Sequence, residues 1–373
     1  MIDFCGALDF EKNEISFSTL KRMCGLHGAG SAYIKDEFGI LCQADSKGNA
    51  DLPVTLSHNG ALYTAAISSD ISLVDERKGL AEGILEGYFE VGEEFVHRLG
   101  FSYALSLYDG RCGELWLSKG HLGDKSLYYT EQGSTLYFSS ALRPLIRLYG
   151  GCVRVSERVL LSYLSGDTQV LPTDLFCDIR PIRRGQSLFC SRLGRRMIQT
   201  PCGVYLGKSD SKGQSNILRY DKGTDMRRVL TDALFAFEYP QFDATIPAIL
   251  SALYEAKRTN SDTLCIYDPL ISTDGDYACE RTERLGRLFG VDLNGEVTDT
   301  GYVSARELKM IDKALNPIFE ECVASAQGAF AALLEKIGTE EIREEKNIPL
   351  RIRRKGMVIQ TRMWLDTYNL VLV

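Results

Sequence analysis

"FSYALSLYDGRCGELWLSKGHLGDKSLYYTEQGSTLYFSS" (residues 101–140) is the stretch of this 373-residue chain in which strand and turn signals are densest. Leu105 and Leu107 alternate with small or polar residues, and this period of two is typical of half-buried strands. Asp109-Gly110 and Gln132-Gly133 are turn sequences that join antiparallel strands. The stretch therefore predicts consecutive strands with short connections.

Helical patterns lie on the N-terminal side of this strand-rich block. Ser18 can cap the segment "TLKRMCGL" (19–26), and "LAEGILEGYFEVGEEFVHRL" (80–99) places apolar residues at helical spacing. An arrangement of strands flanked by amphipathic helices predicts sheets that are covered by helices.

A change of composition marks the middle of the chain. The Gly/Ser/Lys-rich stretch "GKSDSKGQSN" (207–216) has the composition of a linker. It separates two predicted domains, residues 1–205 and residues 217–373. The second domain is mostly helical in pattern, and its strand candidate "TLCIYD" (263–268) lies between helical segments, which favours a small α/β domain with a parallel sheet.

Charge and cysteine content exclude several classes of protein. The formal net charge of −7 and the pI near 5.4 give no basic footprint for nucleic acid, and "RIRRK" (351–355) is interpreted as a solvated face. No secretory signal and no apolar run long enough for a membrane span is present, so a cytoplasmic location is predicted. Eleven scattered cysteines without a Cys-x-x-Cys pair predict reduced thiols and no metal site. The acidic pairs Asp274/Asp276 and Glu320/Glu321 are interpreted as helix faces and caps.

Four segments in the same order carry a resemblance to the glutamine-dependent asparagine synthetase family. They are residues 92–146, "SHNGALY" (57–63), "PIRRGQSLF" (181–189) and "MWLDTYNL" (363–370). The resemblance implies an N-terminal class II glutamine amidotransferase domain of the N-terminal-nucleophile (Ntn) hydrolase type. The implied fold is α+β followed by α/β: a four-layer αββα sandwich to about residue 205, then a shortened, mostly helical synthetase-like domain.

Cys5-Gly6 takes the place of the Cys-Gly that leads the family's glutaminase domain. In that chemistry the free α-amine of the cysteine accepts the proton of the thiol that attacks the glutamine amide. Met1 to Phe4 precede Cys5 here, so its nitrogen is a peptide nitrogen. The resemblance therefore implies a catalytic Cys5 only if residues 1–4 are removed; otherwise Cys5 is expected to be a buried, inert thiol.

Asn59 and Gly60 match the pair that forms the oxyanion hole in the family, where two N–H groups stabilise the tetrahedral intermediate. Asn-Gly is also the strongest short signal for a β-hairpin turn. Both interpretations stay open.

The glutamine-binding pattern of the family is incomplete in this chain. The resemblance implies an arginine for the glutamine carboxylate, but no arginine lies between Met23 and Glu76. A bidentate guanidinium has no simple replacement. Leu80 stands where the resemblance implies the aspartate that binds the glutamine ammonium group, although the following Glu82 is present.

The pyrophosphate-binding loop of the family is Ser-Gly-Gly-Leu-Asp-Ser at a strand–helix junction. Its counterpart here is predicted within "EYPQFDATIPAIL" (238–250). Asp243 keeps the aspartate position as a relic, but Tyr239, Pro240 and Gln241 replace Ser-Gly-Gly. Proline removes an N–H donor, and bulky residues block the close approach that glycine permits. No cofactor is expected, because ATP and Mg²⁺ belong to active family members only.

These patterns predict an asparagine synthetase-like amidotransferase homologue without glutamine-dependent ligase activity. Such a pseudoenzyme would act as a scaffold or as a regulator of a protein partner, or would assemble with itself, and neither nucleic acid nor membrane is a predicted partner. The alternative is a residual glutamine amidohydrolase or amidotransferase that uses Cys5 after removal of residues 1–4. ATP-dependent asparagine synthesis is the least favoured reading, and whether the chain is an enzyme stays open.

Overall fold

A computed structural model describes the chain in segments that fall into two compact units. The first unit comprises Met1–Val153 and Asp178–Gly207, and the second comprises Arg154–Cys177 and Lys208–Val373. The predicted boundary between 205 and 217 lies outside the described residues, as does the predicted linker. Segment 154–177, which was predicted in the first domain, groups with the second unit. The described residues are 4–25, 30–43, 53–69, 79–99, 101–121, 125–150, 152–165, 172–199, 220–221, 223–258, 263–266, 285, 292–295 and 303–373.

Two antiparallel sheets, each of six described strands, form the first unit. The first sheet contains β1 (Phe4–Asp9), β2 (Gly30–Lys35), β3 (Phe38–Gln43), β8 (Tyr128–Gln132), β9 (Thr135–Ser139) and β11 (Arg180–Pro181), in the order β11-β8-β9-β1-β3-β2. The second sheet contains β4 (Val54–His58), β5 (Ala61–Ser69), β6 (Tyr103–Asp109), β7 (Glu114–Lys119), β12 (Gln186–Ser191) and β13 (Gly194–Gln199), in the order β13-β12-β7-β6-β5-β4. The strands predicted in 101–140 are confirmed, but two of them lie in each sheet.

The two sheets pack face to face through one apolar core. Phe4, Leu8 and Phe38 of the first sheet share this core with Leu115 and Leu117 of the second. The ring of Phe38 stacks on that of Tyr108 with a centroid separation of 4.2 Å. Since side chains alternate along a strand, the remaining residues of each strand face outward and need a second cover.

Helices supply that cover on both outer faces. On the first sheet it is formed by α1 (Phe17–Cys24) and α3 (Leu142–Leu148), and a Cβ on Gly39 would stand 3.0 Å from Leu20 of α1. On the second sheet α2 (Leu80–Val91) and the 3-10 segment Gly92–Arg98 share a core with Trp116 and Phe189. The predicted four-layer αββα sandwich is confirmed.

The second unit is mainly helical in its described part. Its elements are β10 (Arg154–Val155), α4 (Glu157–Leu164), a 3-10 segment (Pro172–Leu175), α5 (Met226–Phe237), α6 (Ile246–Arg258), β14 (Thr263–Ile266), β15 (Asp292–Gly295), α7 (Ala305–Ala324), α8 (Gly328–Ile337), α9 (Thr339–Glu344), α10 (Ile348–Tyr368) and β16 (Val371–Leu372). The predicted strand within 263–268 pairs in parallel with β15, and β10 pairs in parallel with β16. Within the described segments, no helix has the length and apolarity that a bilayer crossing needs.

The basic run 351–355 on α10 is not the solvated face that the sequence predicts. Arg351 donates to Asp312 of α7 at 2.7 Å, and Lys355, 4% exposed, donates to the same carboxylate at 3.0 Å. Burial alone would raise the pKa of Asp312, but these two cations lower it below its usual value. Charge pairing inside the helical layer thus fixes α10 against α7. Glu320 and Glu321 form exposed ion pairs with Arg343 and Arg227.

Candidate functional site

Cys5 lies in the middle of the first sheet, on the face that α1 covers. Its strand β1 is paired on both sides, with Cys5 opposite Leu41 of β3 and Ser139 of β9. The side chain is fully buried, and its Sγ lies 3.8 Å from the Leu20 carbonyl oxygen and 2.8 Å from the Sγ of Cys24. Its neighbour Phe4 faces the core between the sheets. Cys5 therefore points away from the second sheet.

Two polar contacts of the Cys5 thiol are with a backbone carbonyl and a second thiol. Reactive thiolates lie at helix N-termini or beside cations and a base. The Cys5 thiol instead donates to the Leu20 carbonyl of α1 and contacts a second thiol. A backbone carbonyl is not a general base and cannot remove the thiol proton.

Phe4 is firmly built into the sandwich. Its N–H donates to the Ser140 hydroxyl at 2.9 Å, and its carbonyl accepts from the Ser140 N–H at 3.0 Å and the Ser139 hydroxyl at 3.1 Å. The ring is fully buried and meets Phe138 edge-on at 6.3 Å. The Phe4–Cys5 peptide is therefore part of a hydrogen-bonded strand, and removal of residues 1–4 would take a core side chain with it.

The carboxylate at the far end of β1, Asp9, has a structural role. Burial alone would raise its pKa, but the Thr135 and Ser134 hydroxyls and the N–H groups of Asn13 and Glu11 hold the pKa below its usual value. The Thr135 and Ser134 donors lie 2.6 and 2.8 Å from Oδ2. This ionised carboxylate fixes the β1 end and the β8–β9 turn rather than serving Cys5.

Asn59 and Gly60 form the two-residue turn between β4 and β5. Their φ angles are +49° and +79°, as a hairpin turn with two left-handed residues requires. Both residues are exposed, and a Cβ on Gly60 would have no atom within 4 Å. The hairpin interpretation is thus confirmed. The turn belongs to the second sheet, whereas the Cys5 thiol faces the helix layer outside the first sheet, so the structure does not bring the two together.

The position that the resemblance assigns to the glutamine ammonium group is apolar. Leu80, the first residue of α2, is buried and packs with Ile84 and Phe95 in the core under this helix. Glu82 is half-buried in the first turn. Residues 26–29, 44–52 and 70–75 of the stretch without arginine lie outside the described residues, as do Asp274 and Asp276. Lys35, at the end of β2, is exposed.

Segment 238–245 of the second unit connects two helices, and this corrects the predicted strand–helix junction. Residues 226–237 form α5 because their apolar residues recur at helical spacing and bury one face. The segment then leads into α6, where Asp243 is the cap: its Oδ1 accepts from the N–H groups of Thr245 at 2.7 Å and Ile246 at 3.3 Å.

The N–H groups earlier in this segment are bonded inside the protein. Gln241 donates to Oε1 of Gln360 at 2.6 Å, and Phe242 donates to Sδ of Met357 at 3.2 Å. The Pro240 carbonyl accepts from the Tyr163 hydroxyl at 2.8 Å. The donors that a phosphate-binding loop would offer are thereby used by side chains of the same unit.

Side chains fill the space beside the segment. Tyr239, Gln241 and Phe242 are buried, and the Phe242 ring lies directly on Gly356 of α10, where a Cβ would stand 2.0 Å from it. Trp364 donates to the Glu238 carbonyl at 3.0 Å. The sequence indicated the loss of Ser-Gly-Gly, but the partners on α10, more than 110 residues away, have no local signal. In the described residues, no group of three or more acidic, histidine or cysteine side chains could hold a metal ion.

Comparison with known proteins concerns mainly the first unit. Residues 49–200 match the family described as "Glutamine amidotransferase domain". "Asparagine synthetase (glutamine-hydrolyzing) 3" of Bacillus subtilis (strain 168) is 27% identical over 145 residues, which cover 38% of this chain and 24% of that protein. "Putative asparagine synthetase (glutamine-hydrolyzing) 2" of Methanocaldococcus jannaschii is 28% identical over 115 residues, covering 31% and 22%. The matches span about a quarter of the length of these relatives.

Two solved structures show a distant overall likeness. Glutamine phosphoribosylpyrophosphate amidotransferase from B. subtilis, complexed with ADP and GMP, has a TM-score of 0.39 and 10% identity, over 78% of this chain and 65% of that chain. A structure described as the allosteric regulatory enzyme of purine biosynthesis has a TM-score of 0.39 and 11% identity, over 82% and 69%. The resemblance that the motifs carry is confirmed by the family match and the two asparagine synthetases.

Proposed function

From the premise that residues 49–200 form an asparagine synthetase-like class II glutamine amidotransferase domain, we propose that this chain is a non-catalytic homologue. In this proposal the fold serves as a scaffold or regulator that acts by binding a protein partner or a second copy of itself. The observation that carries the proposal is the internal use of the N–H groups of Gln241, Phe242, Thr245 and Ile246.

The hydrogen bonds already made by segment 238–245 disfavour ATP binding. Pyrophosphate binds where several backbone N–H groups point into open space at the start of a helix. Here two of these donors are satisfied by Gln360 and Met357 of α10, and two by the carboxylate of Asp243. The negative charge of Asp243 already occupies the N-terminus of α6. Binding a phosphate would require breaking buried hydrogen bonds and expelling Phe242 from its contact with Gly356.

The orientation of the Cys5 thiol disfavours glutamine hydrolysis. The Cys5 thiol faces α1 and the Leu20 carbonyl, while the candidate oxyanion donors Asn59 and Gly60 stand at an exposed turn of the other sheet. A nucleophile and its oxyanion hole must converge on one carbonyl group, about 3 Å from each. Leu80 also supplies no charge for an ammonium group.

The amidohydrolase alternative requires a free amine on Cys5. Phe4 contributes a fully buried ring and three hydrogen bonds to the sandwich, so exposure of that amine would remove part of the core. This cost disfavours the alternative, and the filled segment 238–245 disfavours asparagine synthesis. The sequence has eleven scattered cysteines without a Cys-x-x-Cys pair, a pattern that fits a reducing compartment, and we propose a cytoplasmic location on that ground.

Thermal denaturation with and without ATP–Mg²⁺ tests the proposal. A ligand present at 100 times its Kd stabilises the folded state by about 2.7 kcal/mol, which is a readily measured shift of Tm. We expect no saturable shift for this chain. A saturable shift for this chain would overturn the proposal.

Ammonia release from glutamine is the second measurement. We expect the same rate from the full chain and from the Cys5→Ala variant, since the thiol is not placed for attack. A rate above that of Cys5→Ala would establish a glutaminase and contradict the proposal. Light scattering on the same sample distinguishes a second copy from another partner as the bound species.

A further inference from the structure

Cys5 and Cys24 are a buried pair of thiols on two different elements. The Sγ atoms lie 2.8 Å apart, one on β1 and the other on the last residue of α1. Cys5 is fully buried, and Cys24 is 8% exposed. An S–S bond of about 2.05 Å needs the two sulfur atoms to approach by only about 0.8 Å.

The backbone around Cys24 is held in place for such a bond. Gly25 ends α1 in the left-handed region at φ +63°, and its N–H donates to the carbonyls of Lys21 and Arg22. Arg147 of α3 donates to the Cys24 carbonyl at 2.7 Å. On the other side, β1 is fixed by pairing with β3 and β9. Two thiols on anchored backbones are thus pre-positioned.

We propose that Cys5 and Cys24 are a covalent modification site, at which hydrogen peroxide converts the two thiols into a disulfide that ties β1 to α1. The Cys24 thiol loses its proton, and its sulfur attacks one peroxide oxygen. The O–O bond breaks, and a sulfenic acid and water are formed. The Cys5 sulfur then displaces the hydroxyl group as a second water, with its own proton, and the S–S bond forms. Two thiols and one peroxide give one disulfide and two waters, so atoms and the two electrons balance.

The order of these steps follows from exposure. Cys24 is the more exposed residue of the two, so it meets peroxide first, and Cys5 is the resolving thiol. Cys42, on the neighbouring strand β3, is the natural comparison because it is equally buried. It lies opposite Phe4 and faces the core between the sheets, whereas Cys5 faces α1. Cys42 is therefore on the wrong face of the sheet to join the pair.

Peptide mapping of the full chain tests the proposal. The reduced protein is treated with peroxide, remaining thiols are blocked with N-ethylmaleimide, and trypsin is applied without reductant. Trypsin places Cys5 in residues 1–12, Cys24 in 23–35 and Cys42 in 36–47. We expect peptides 1–12 and 23–35 joined, with a mass two hydrogens below their sum. The Cys42→Ala variant keeps this product, and Cys24→Ala loses it.

Thermal stability gives a readout that does not depend on the variants folding. A disulfide that closes this loop restricts the unfolded chain, so the oxidised wild type should melt several degrees above the reduced wild type. Dithiothreitol should reverse the shift. Recovery of Cys5 and Cys24 as maleimide adducts after the exposed Cys112, Cys152 and Cys177 are oxidised would overturn the proposal. So would a disulfide from Cys5 to any other cysteine.

Discussion

The Cys5 region of the first unit and segment 238–245 of the second unit differ in how they depart from catalytic geometry. At Cys5 the thiol that the resemblance assigns to chemistry is present but faces α1. In segment 238–245 the aspartate is present, but its carboxylate caps α6 and the neighbouring N–H groups are bonded to α10. In the first region the thiol has a different orientation from the one that the expected chemistry needs. In the second region the N–H groups are already engaged in internal hydrogen bonds.

This difference determines which groups each region leaves open to a ligand. The turn of Asn59 and Gly60 is still open to solvent, so the first unit retains exposed donors without a nucleophile beside them. The second unit retains no open donor among the described residues 241, 242, 245 and 246. A change at one position cannot reopen a loop whose space is filled by Tyr239 and Phe242 and whose donors are bonded.

The largest expected loss of stability is at Phe4, because the burial of its ring fixes the direction in which Cys5 points. Phe4→Ala should lower the free energy of unfolding of the first unit by about 3–5 kcal/mol, the cost of losing a buried ring and leaving a cavity. Urea titration in a Trp364→Phe background, where Trp116 is the remaining tryptophan, measures it. The control Phe17→Ala, at a side chain 51% exposed, should change stability by less than about 0.5 kcal/mol. A loss below about 1 kcal/mol for Phe4→Ala would make removal of residues 1–4 tolerable.

Substitution of Gln360 tests whether the internal hydrogen bond of the Gln241 N–H stabilises segment 238–245. Gln360→Ala leaves the Gln241 N–H without its acceptor and removes the side-chain N–H that Gln360 donates to the Leu230 carbonyl, and should cost about 1–3 kcal/mol. Gln360→Met keeps most of the volume, so a similar loss there attributes the effect to hydrogen bonds. Neither variant should bind ATP, as a thermal shift can verify. If Gln360→Met left the free energy of unfolding unchanged, the hydrogen bond to Gln241 would contribute nothing to stability.

Substitution of Asp243 tests whether its carboxylate acts as the N-terminal cap of α6. Asp243→Ala should cost about 1–2 kcal/mol, since it removes the acceptor for two N–H groups at the start of α6. Asp243→Asn keeps an acceptor oxygen and should lose less than half of that. Chemical denaturation followed by circular dichroism provides the comparison. Equal losses for the two variants would argue against the cap.

The smallest expected effect is at the open turn of the first unit. Gly60→Ala places a Cβ at φ +79°, and the strain should cost about 1 kcal/mol with no steric part, because the space around it is empty. Asn59→Gly should be within about 0.5 kcal/mol of the wild type. Differential scanning calorimetry can resolve these shifts. A larger loss for Asn59→Gly would reveal a contact of the Asn59 side chain that matters beyond the turn.

The strands of 101–140 were predictable because alternation and turn residues are local signals. Their division between two sheets was not, since it depends on β1, which pairs with β9, more than 120 residues away. Likewise the composition of "RIRRK" indicates a solvated face, but Asp312 on another helix accepts hydrogen bonds from Arg351 and Lys355 and allows Lys355 to be buried. A charge pattern on one helix does not reveal the partner on the next.

The sequence by itself determined the strands and turns of 101–140 and the replacement of Ser-Gly-Gly by Tyr239, Pro240 and Gln241, because each depends on residue types at short spacing. The four-layer sandwich was implied by the family resemblance, and the Asn59-Gly60 hairpin was one of two open interpretations. Only the tertiary structure decided which way Cys5 faces and what holds segment 238–245. The side of a sheet to which a strand residue points follows from how that strand pairs and which core its neighbours fill. Phe4 and Leu8 enter the core between the sheets, so Cys5 must face α1, where the Sγ of Cys24 lies 2.8 Å away.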